Sequence, residues 1–588
     1  MAAPLVAGLG LAAYGAALRD YGIADFGDEG LQLAQAWRVS RGQLPYVDFH
    51  TGYGPLYFWI QAALVSWAGL EAVRWMLVGI HATAAMLVYL ITRRLLGSAL
   101  AIVAVLLEVA FFLPLAPSRG VPFLIPYPAW YVSLAALAVA FLLQRTRPSA
   151  ARFLVSGALA GAAFAMKVNS GLLLAAAAAS VAVLAGERRE AGPAGKVVLG
   201  LVGLGSVLLV AETGLTISAW VLAPPVLGLA WLGRGRGAPD GYAGPRLAAL
   251  ATGFLPVAAF CYAPSFVRLG PQRFARQALL LGAGFAGTYA MAYPWPAALG
   301  GAVGLAAFVL ADRAPRSVLA AGAVATLGLA VLTGARSAPS LAAAPRLAAE
   351  VSTLALVPLA VWAAIGALRR RADPALLGPA AVAALATLQL YPRPDFEHLT
   401  QVAPVLLPLG LRAWRRCVEM LSPAPAVVVA VPLLLAAARF APTAVTLGRL
   451  ATGAREEVRV ASTRLLIAPE GAERLRALAA AVDAVQRNTA PPDLVFTFPA
   501  CAIVPFFAER LPAGPHDYFF PGRPDRAEVA ALSQHLAAAP PPVAVTCSAA
   551  GSDLARAWDA YPELVRFITT RYHVLLDRPP FVVRRVAQ

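Results

Sequence analysis

The chain has 588 residues, of which 59% are hydrophobic and only 13% charged, and its mean hydropathy is +0.68. That is more apolar surface than a water-soluble fold can cover. The formal net charge of +17 comes almost wholly from arginines in short loops between apolar runs, without the interleaved aromatics that stack bases. This argues against nucleic acid and for a lipid bilayer as the partner.

The first apolar run, residues 2–17, has no basic n-region and reads as a retained helix rather than a cleaved signal. Further runs of spanning character occupy 72–92, 98–115, 128–143, 152–167, 170–186, 197–211, 215–233, 245–262, 296–311, 317–334, 351–367, 374–390, 400–413 and 424–440. The expected fold is a polytopic all-α transmembrane bundle of about 11 to 15 helices. With this set, Arg93-Arg94, Arg145 to Arg152, Arg188 to Lys196, Arg234 with Arg236, Arg313 with Arg316, Arg369 to Arg371 and Arg412 to Arg416 all fall on one side, which the positive-inside rule makes cytoplasmic. The other face then receives 18–71, 116–127, 263–295, 335–350, 391–399 and everything after about 440.

The first outer loop holds Asp20, Asp25, Asp28, Glu29 and Asp48, a dense acidic cluster in an acid-poor chain. A carboxylate at a membrane surface can serve as general base toward a hydroxyl acceptor if it is partly desolvated and close to the reacting atoms. Asp28 also stands just before Glu29 to Arg41, a segment of helical spacing that stops at Gly42, so it fits the N-cap of a surface helix. The two roles are compatible. His50 and Tyr53 are further binding candidates in the same loop. After Gly54-Pro55, the segment Leu56 to Gly69 is apolar and aromatic but too short to span and return, and is expected to lie along the interface.

From Arg455 onward charges become frequent and helical and strand-like stretches alternate, which predicts a small C-terminal α/β domain, residues 441–588, following a membrane domain of residues 1–440. Its predicted elements are a helix at 471–488, strands at 493–499 and 542–548, a helix at 552–560 and a last strand at 581–585. Cys501 and Cys547 lie near the ends of the first two strands, either as a disulfide or as two buried thiols, and no cysteine spacing suits a metal.

Asp28-Glu29, Gly42-x-x-Pro45-Tyr46-x-Asp48-Phe49, Gly54-Pro55-Leu56-Tyr57, then Arg74, Arg93-Arg94 and Gly97, together resemble the multi-spanning GT-C glycosyltransferases. The likeness is to the bacterial protein O-mannosyltransferase and aminoarabinose-transferase groups and the RgtA-to-D-like enzymes. FTFPACAIVPFFAERLPAG, HDYFFPG and Tyr572 resemble the extracytoplasmic tail of the last group. The resemblance implies inverting transfer of a monosaccharide from a polyprenyl-phosphate donor to a hydroxyl of an envelope glycan, lipid or protein, at the outer face of a bacterial cytoplasmic membrane. It implies Asp28 as catalytic base. It also implies that Glu29, Asp48, His50, Tyr53, Lys167, Arg393, Asp395 and His398 bind substrate, with Lys167 and Arg393 steadying the departing phosphate. No cofactor is expected: a Walker loop and a strand-linked dinucleotide fingerprint are both missing, and although Asp25, Asp28 and Glu29 carry oxygen donors suited to a hard divalent ion, a metal is not favoured. A lipid-linked sugar flippase or an O-antigen polymerase or ligase would share the spans. The first, however, has no need of an acidic outer loop, and the second usually carries its large loop between late spans.

Overall fold

The computed structural model describes residues 2–115, 120–145, 148–185, 191–211, 217–234, 240–280, 290–310, 316–339, 344–370, 373–421, 425–548 and 555–587. Arg147, Arg188, Arg189, Arg236, Arg313 and Arg371 of the basic loops, parts of the expected loops 116–127, 263–295 and 335–350, and the start of the expected helix 552–560 lie outside them.

The chain begins with α1 (Ala2–Leu18) and a short amphipathic helix α2 (Asp28–Ser40), followed by α3 (Pro55–Leu96). Pro55 sits in the first turn of α3, where its missing N–H costs nothing. Ala68 and Gly69 leave helical geometry, Gly69 at φ +58°, so α3 is two helices joined end to end. The break falls at the end of the segment expected to lie apart from the span at 72–92. Next come α4 (Ser98–Leu107), extended by a π-helical turn at Glu108–Phe112, α5 (Pro128–Leu143), α6 (Ala150–Met166) and α7 (Val168–Leu184). The bundle is completed by α8 (Pro193–Ala211), α9 (Ile217–Trp231), α10 (Asp240–Phe274), α11 (Trp295–Val309), α12 (Arg316–Arg336), α13 (Ala344–Arg369), α14 (Leu377–Ala386), α15 (Phe396–Leu421) and α16 (Pro425–Ala451). Six described helices are long and apolar enough to cross a membrane, and eight more are apolar but 10–17 residues long.

The two expected faces separate in space. At one end Gln144 donates to the Ile91 carbonyl, the Ala191 N–H to Gly233, Arg152 to Leu142 and Arg369 to Phe308, so the basic turns gather there. At the other end Gly22 bridges Gly120, Ser265 donates to Pro45, and the Met291 N–H to Pro392. The hairpins α6–α7 and α8–α9 therefore each go out and come back.

The last bundle helix runs past the expected boundary at 440 to Ala451, and the tail then opens with a hairpin, β1 (Glu456–Val460) against β2 (Thr463–Ile467), which the sequence reading did not anticipate. Next are α17 (Pro469–Asn488), β3 (Leu494–Phe498), α18 (Ile503–Ala508), β4 (Leu511–Pro512), α19 (Arg526–Ala538), β5 (Val543–Cys547), α20 (Ala555–Ala560), α21 (Pro562–Arg571), β6 (Tyr572–Arg578) and β7 (Phe581–Val586). The five-stranded sheet has the order β4-β3-β5-β7-β6, with β3 parallel to β4 and β5, and β7 antiparallel to β5 and β6. VAVTC is buried along its whole length, as a central strand covered on both faces requires. Cys501, just past β3, and Cys547, at the end of neighbouring β5, form a disulfide with Cα atoms 5.9 Å apart.

The tail rests on the first loop. Gly22 N–H donates to Leu466 O at 2.7 Å and Leu466 N–H to Asp20 O at 2.8 Å, adding a stretch of loop to the hairpin. Arg474 lies 3.8 Å over the Phe26 ring and donates to Ile23 O. Gly30 of α2 meets Ile503, where an added Cβ would come within 2.6 Å, so only glycine lets α2 and α18 approach this closely. Arg38 and Asp517 pair at 2.7 Å with both side chains buried.

Candidate active site

Asp25, rather than Asp28, starts α2: its Oδ1 accepts the Asp28 N–H at 2.7 Å, and Gly27 before the helix offers no side chain. The expectation that Asp28 caps this helix is thereby corrected, because Asp28 is the first helical residue and its carboxylate points elsewhere. Its Oδ2 accepts the phenolic hydrogen of Tyr127 at 2.6 Å. Tyr127 immediately precedes α5, in a segment fixed by three bonds: Tyr57 donates to Pro126 O, Trp130 Nε1 donates to Ile125 O at 2.9 Å, and His81 Nε2 bonds Phe123 O at 2.7 Å.

Arg393 and Asp395 arrive from the loop before α15, and His398 from its first turn. Asp395 Oδ1 accepts both the His398 backbone N–H at 2.8 Å and its Nδ1 at 2.7 Å, and Arg393 Nε pairs with Oδ2. Burial works against the Asp395 charge, but the His398 bonds and the Arg393 guanidinium outweigh it and hold the carboxyl below its usual range. Arg393 and His398 in turn act on Asp28. Its carboxyl is pushed up to about 6, first by burial and then by the charge of Asp25, against the opposing pull of Tyr127, Arg393 and His398. Glu397 lies within electrostatic reach of the same carboxylate.

Lys167 separates α6 from α7 in extended backbone. Gly54 N–H donates to Met166 O at 2.8 Å, and a Cβ on Gly54 would lie 2.1 Å from Ala165 O, so the first loop is sealed directly onto the turn that carries the lysine. On its other side Ser170 bonds Gln389, which precedes the Arg393 loop, at 2.7 Å. Among the described residues no carboxylate reaches Lys167 as an ion-pair partner. Tyr53 packs edge-on against Tyr57, and its carbonyl accepts from Tyr46.

Three expected substrate contacts sit elsewhere. Glu29 is 1% exposed, with Oε1 on Arg74 Nη2 at 2.8 Å and Oε2 on the Ala24 N–H at 2.9 Å, so it holds the loop together from inside. Arg74, also 2% exposed, adds bonds to Arg19 O and Gly22 O. This also removes Glu29 from any carboxylate set with Asp25 and Asp28. Asp48 is exposed and accepts the Leu44 N–H at 2.6 Å, closing its own turn. His50 faces the tail, stacked on His516 with ring centroids 4.4 Å apart.

Sequence reading missed Tyr127 and Glu397. The run VPFLIPYPAW in a predicted outer loop was the available signal for the first, and the position between Asp395 and His398 for the second. Another polar cavity, about 830 Å³, lies at the far end of α2 between Arg41, Gly69 and Arg464, away from Asp28.

Fold and site together define a multi-pass helical membrane protein with an α/β tail, in which Asp28, Tyr127, Arg393 and His398 cluster where the first loop meets the segments that open α5 and α15. No protein-family model matches the chain, and no curated protein matches it. Among solved structures it is similar to ArnT from Cupriavidus metallidurans bound to undecaprenyl phosphate, at 13% identity and a TM-score of 0.39, over 99% of this chain and 97% of that one. It is similar also to the Archaeoglobus fulgidus oligosaccharyltransferase tethered to an acceptor peptide, at 12% identity and a TM-score of 0.42, over 100% of this chain and 74% of that one.

Proposed function

We propose that the protein is a membrane glycosyltransferase of the GT-C type that moves a monosaccharide from a polyprenyl-phosphate donor to a hydroxyl acceptor, with inversion. The observation that carries this reading is Asp28: a partly buried carboxylate with its pKa raised to about 6, held by Tyr127 and faced by Arg393 and His398 from around the start of a late helix. At pH 7 roughly nine tenths of it is ionised, yet it is a stronger base than an ordinary aspartate. In this mechanism Asp28 takes the acceptor's proton as the acceptor oxygen forms its bond to the anomeric carbon. The carbon–oxygen bond to phosphate breaks, and the electron pair leaves with the polyprenyl phosphate. Arg393 and Lys167 stabilise that developing anion.

An apolar groove of about 990 Å³ supports a lipid-borne donor. It runs between α11, α12, α13, α15 and α16 from Leu399, next to His398, to Arg416 at the basic end. The disulfide in the tail and the basic turns at the opposite end both fit a tail and active site on the extracytoplasmic side of a bacterial inner membrane. The test is purified protein with a panel of polyprenyl-phosphate sugars and hydroxyl acceptors. Transfer from at least one donor is expected, whereas donor movement between leaflets without transfer would replace this reading with a flippase.

A further inference from the structure

We propose that His50, His516 and Glu528 form a binding site for a divalent transition metal, best matched to Zn²⁺, that clamps the tail to the loop carrying Asp28. The three residues come from two parts of the chain, and one ligand atom from each lies within 4.8 Å of the others. A tetrahedral zinc ion holds its ligand atoms about 3.3 Å apart, so the three atoms would draw together by up to about 1.5 Å and the imidazoles would leave their stack on binding.

The backbone is already fixed at each position. The His50 N–H donates to Pro515 O at 2.8 Å, which ties the residue before His516 to the loop. Glu528 is the third residue of α19 and forms a capping box with Asp525: its Oε2 accepts the Asp525 N–H at 2.9 Å, and its Oε1 faces His50 Nε2 at 3.8 Å. One carboxylate oxygen is thus committed to the helix and the other is directed at the cluster.

His516 is 7% exposed, and among the described residues no hydrogen bond reaches its ring nitrogens or those of His50. The ring nitrogens reach solvent rather than being sealed off without a partner, so they are open to an incoming ion. Two imidazoles and one carboxylate, with water in the fourth position, are a donor set that suits zinc better than calcium or magnesium, which prefer all-oxygen shells. Next to the site, Arg38 of α2 pairs with Asp517, so a metal there would brace the helix that begins with Asp28. The site stands on its own geometry, whether or not the chain transfers sugars.

The test uses the full chain in detergent, stripped with chelator and dialysed, then titrated with Zn²⁺ by calorimetry, with metal content measured by mass spectrometry. One zinc per chain is expected for the wild type and for His535→Ala, which removes an exposed histidine elsewhere on α19. Affinity is expected to fall by about tenfold or more in His50→Ala, His516→Ala and Glu528→Gln. Glu528→Gln keeps the capping box, since glutamine serves equally at that position, so it separates loss of a ligand from loss of the helix start. A wild type that binds no zinc, or binding undiminished in all three variants, overturns the site and leaves a plain histidine stack.

Discussion

Tyr127 donates its phenolic hydrogen to Asp28 Oδ2 at 2.6 Å, joining the loop after α1 to the start of α5 across 99 residues of sequence. This bond favours the charged carboxylate, so it lowers a pKa that burial raises. In Tyr127→Phe the pKa of Asp28 is expected to rise above its value of about 6. The acid limb of the pH–rate profile then moves to higher pH, and activity at pH 7 falls while activity at pH 8.5 is largely kept. A variant whose acid limb does not move would show that the tyrosine does not govern this carboxylate.

In the wild type the same limb is expected to have its midpoint near pH 6. Because the base works only when ionised, transfer is expected to drop by about tenfold for each pH unit below that point. The sign for stability is opposite. A raised carboxyl pKa means the folded state binds protons more readily than the unfolded chain, so the charge weakens the fold as pH rises from about 4 to 6 and at every pH above. Thermal unfolding of Asp28→Asn at pH 7 should therefore give a Tm no lower than that of wild type.

Glu29 and Arg74 form a buried ion pair, each at most 2% exposed. Removing one partner leaves the other charge uncompensated, and Arg74→Met or Glu29→Gln is expected to cost about 3–5 kcal/mol. The double variant should recover a substantial part of that loss. A thermal-melt comparison of the three decides it, and simple additivity of the single losses would show that the pair is not coupled.

Gly54 is pressed against the turn between α6 and α7, so Gly54→Ala would force Ala165 away by an overlap that cannot be absorbed by a side chain. Overpacking of this kind costs about 1–3 kcal/mol. It also shifts Lys167, so transfer is expected to fall by more than the change in folded fraction explains. Donor-binding measurements on folded material check this, and unchanged donor affinity would separate Lys167 from the phosphate.

Much of the architecture was legible because its signals are local. Apolar runs broken by arginines marked the helices, and their parity sorted the chain ends onto two faces. DLVFTFP and PVAVTCS marked two buried strands, and the segment Leu56 to Gly69 was set apart from the span at 72–92, where α3 does break. The acidic loop and the YPRPDFEHLTQ segment were visible as polar islands, and the structure brings Asp28, Arg393, Asp395 and His398 together. What was not legible depends on partners distant in sequence. Glu29 looked like its neighbour Asp28 until Arg74 was found to cover it. His50 turned toward His516, more than 400 residues away, and Asp48 proved to be closing its own turn. Tyr127 stood within the run VPFLIPYPAW, where only its partner Asp28 sets it apart. The hairpin of Glu456–Val460 and Thr463–Ile467 escaped because its charged alternation resembles a surface linker until Asp20 to Gly22 pairs with it.

The most direct test of the account is the transfer rate of Asp28→Asn against wild type, with a polyprenyl-phosphate sugar that the wild type uses, at pH 7.5 and saturating donor. Loss of a positioned general base predicts a fall in kcat of about 10²–10⁴-fold with donor affinity and Tm preserved. Transfer by the variant at the wild-type rate would contradict the central claim and move the chemistry away from Asp28.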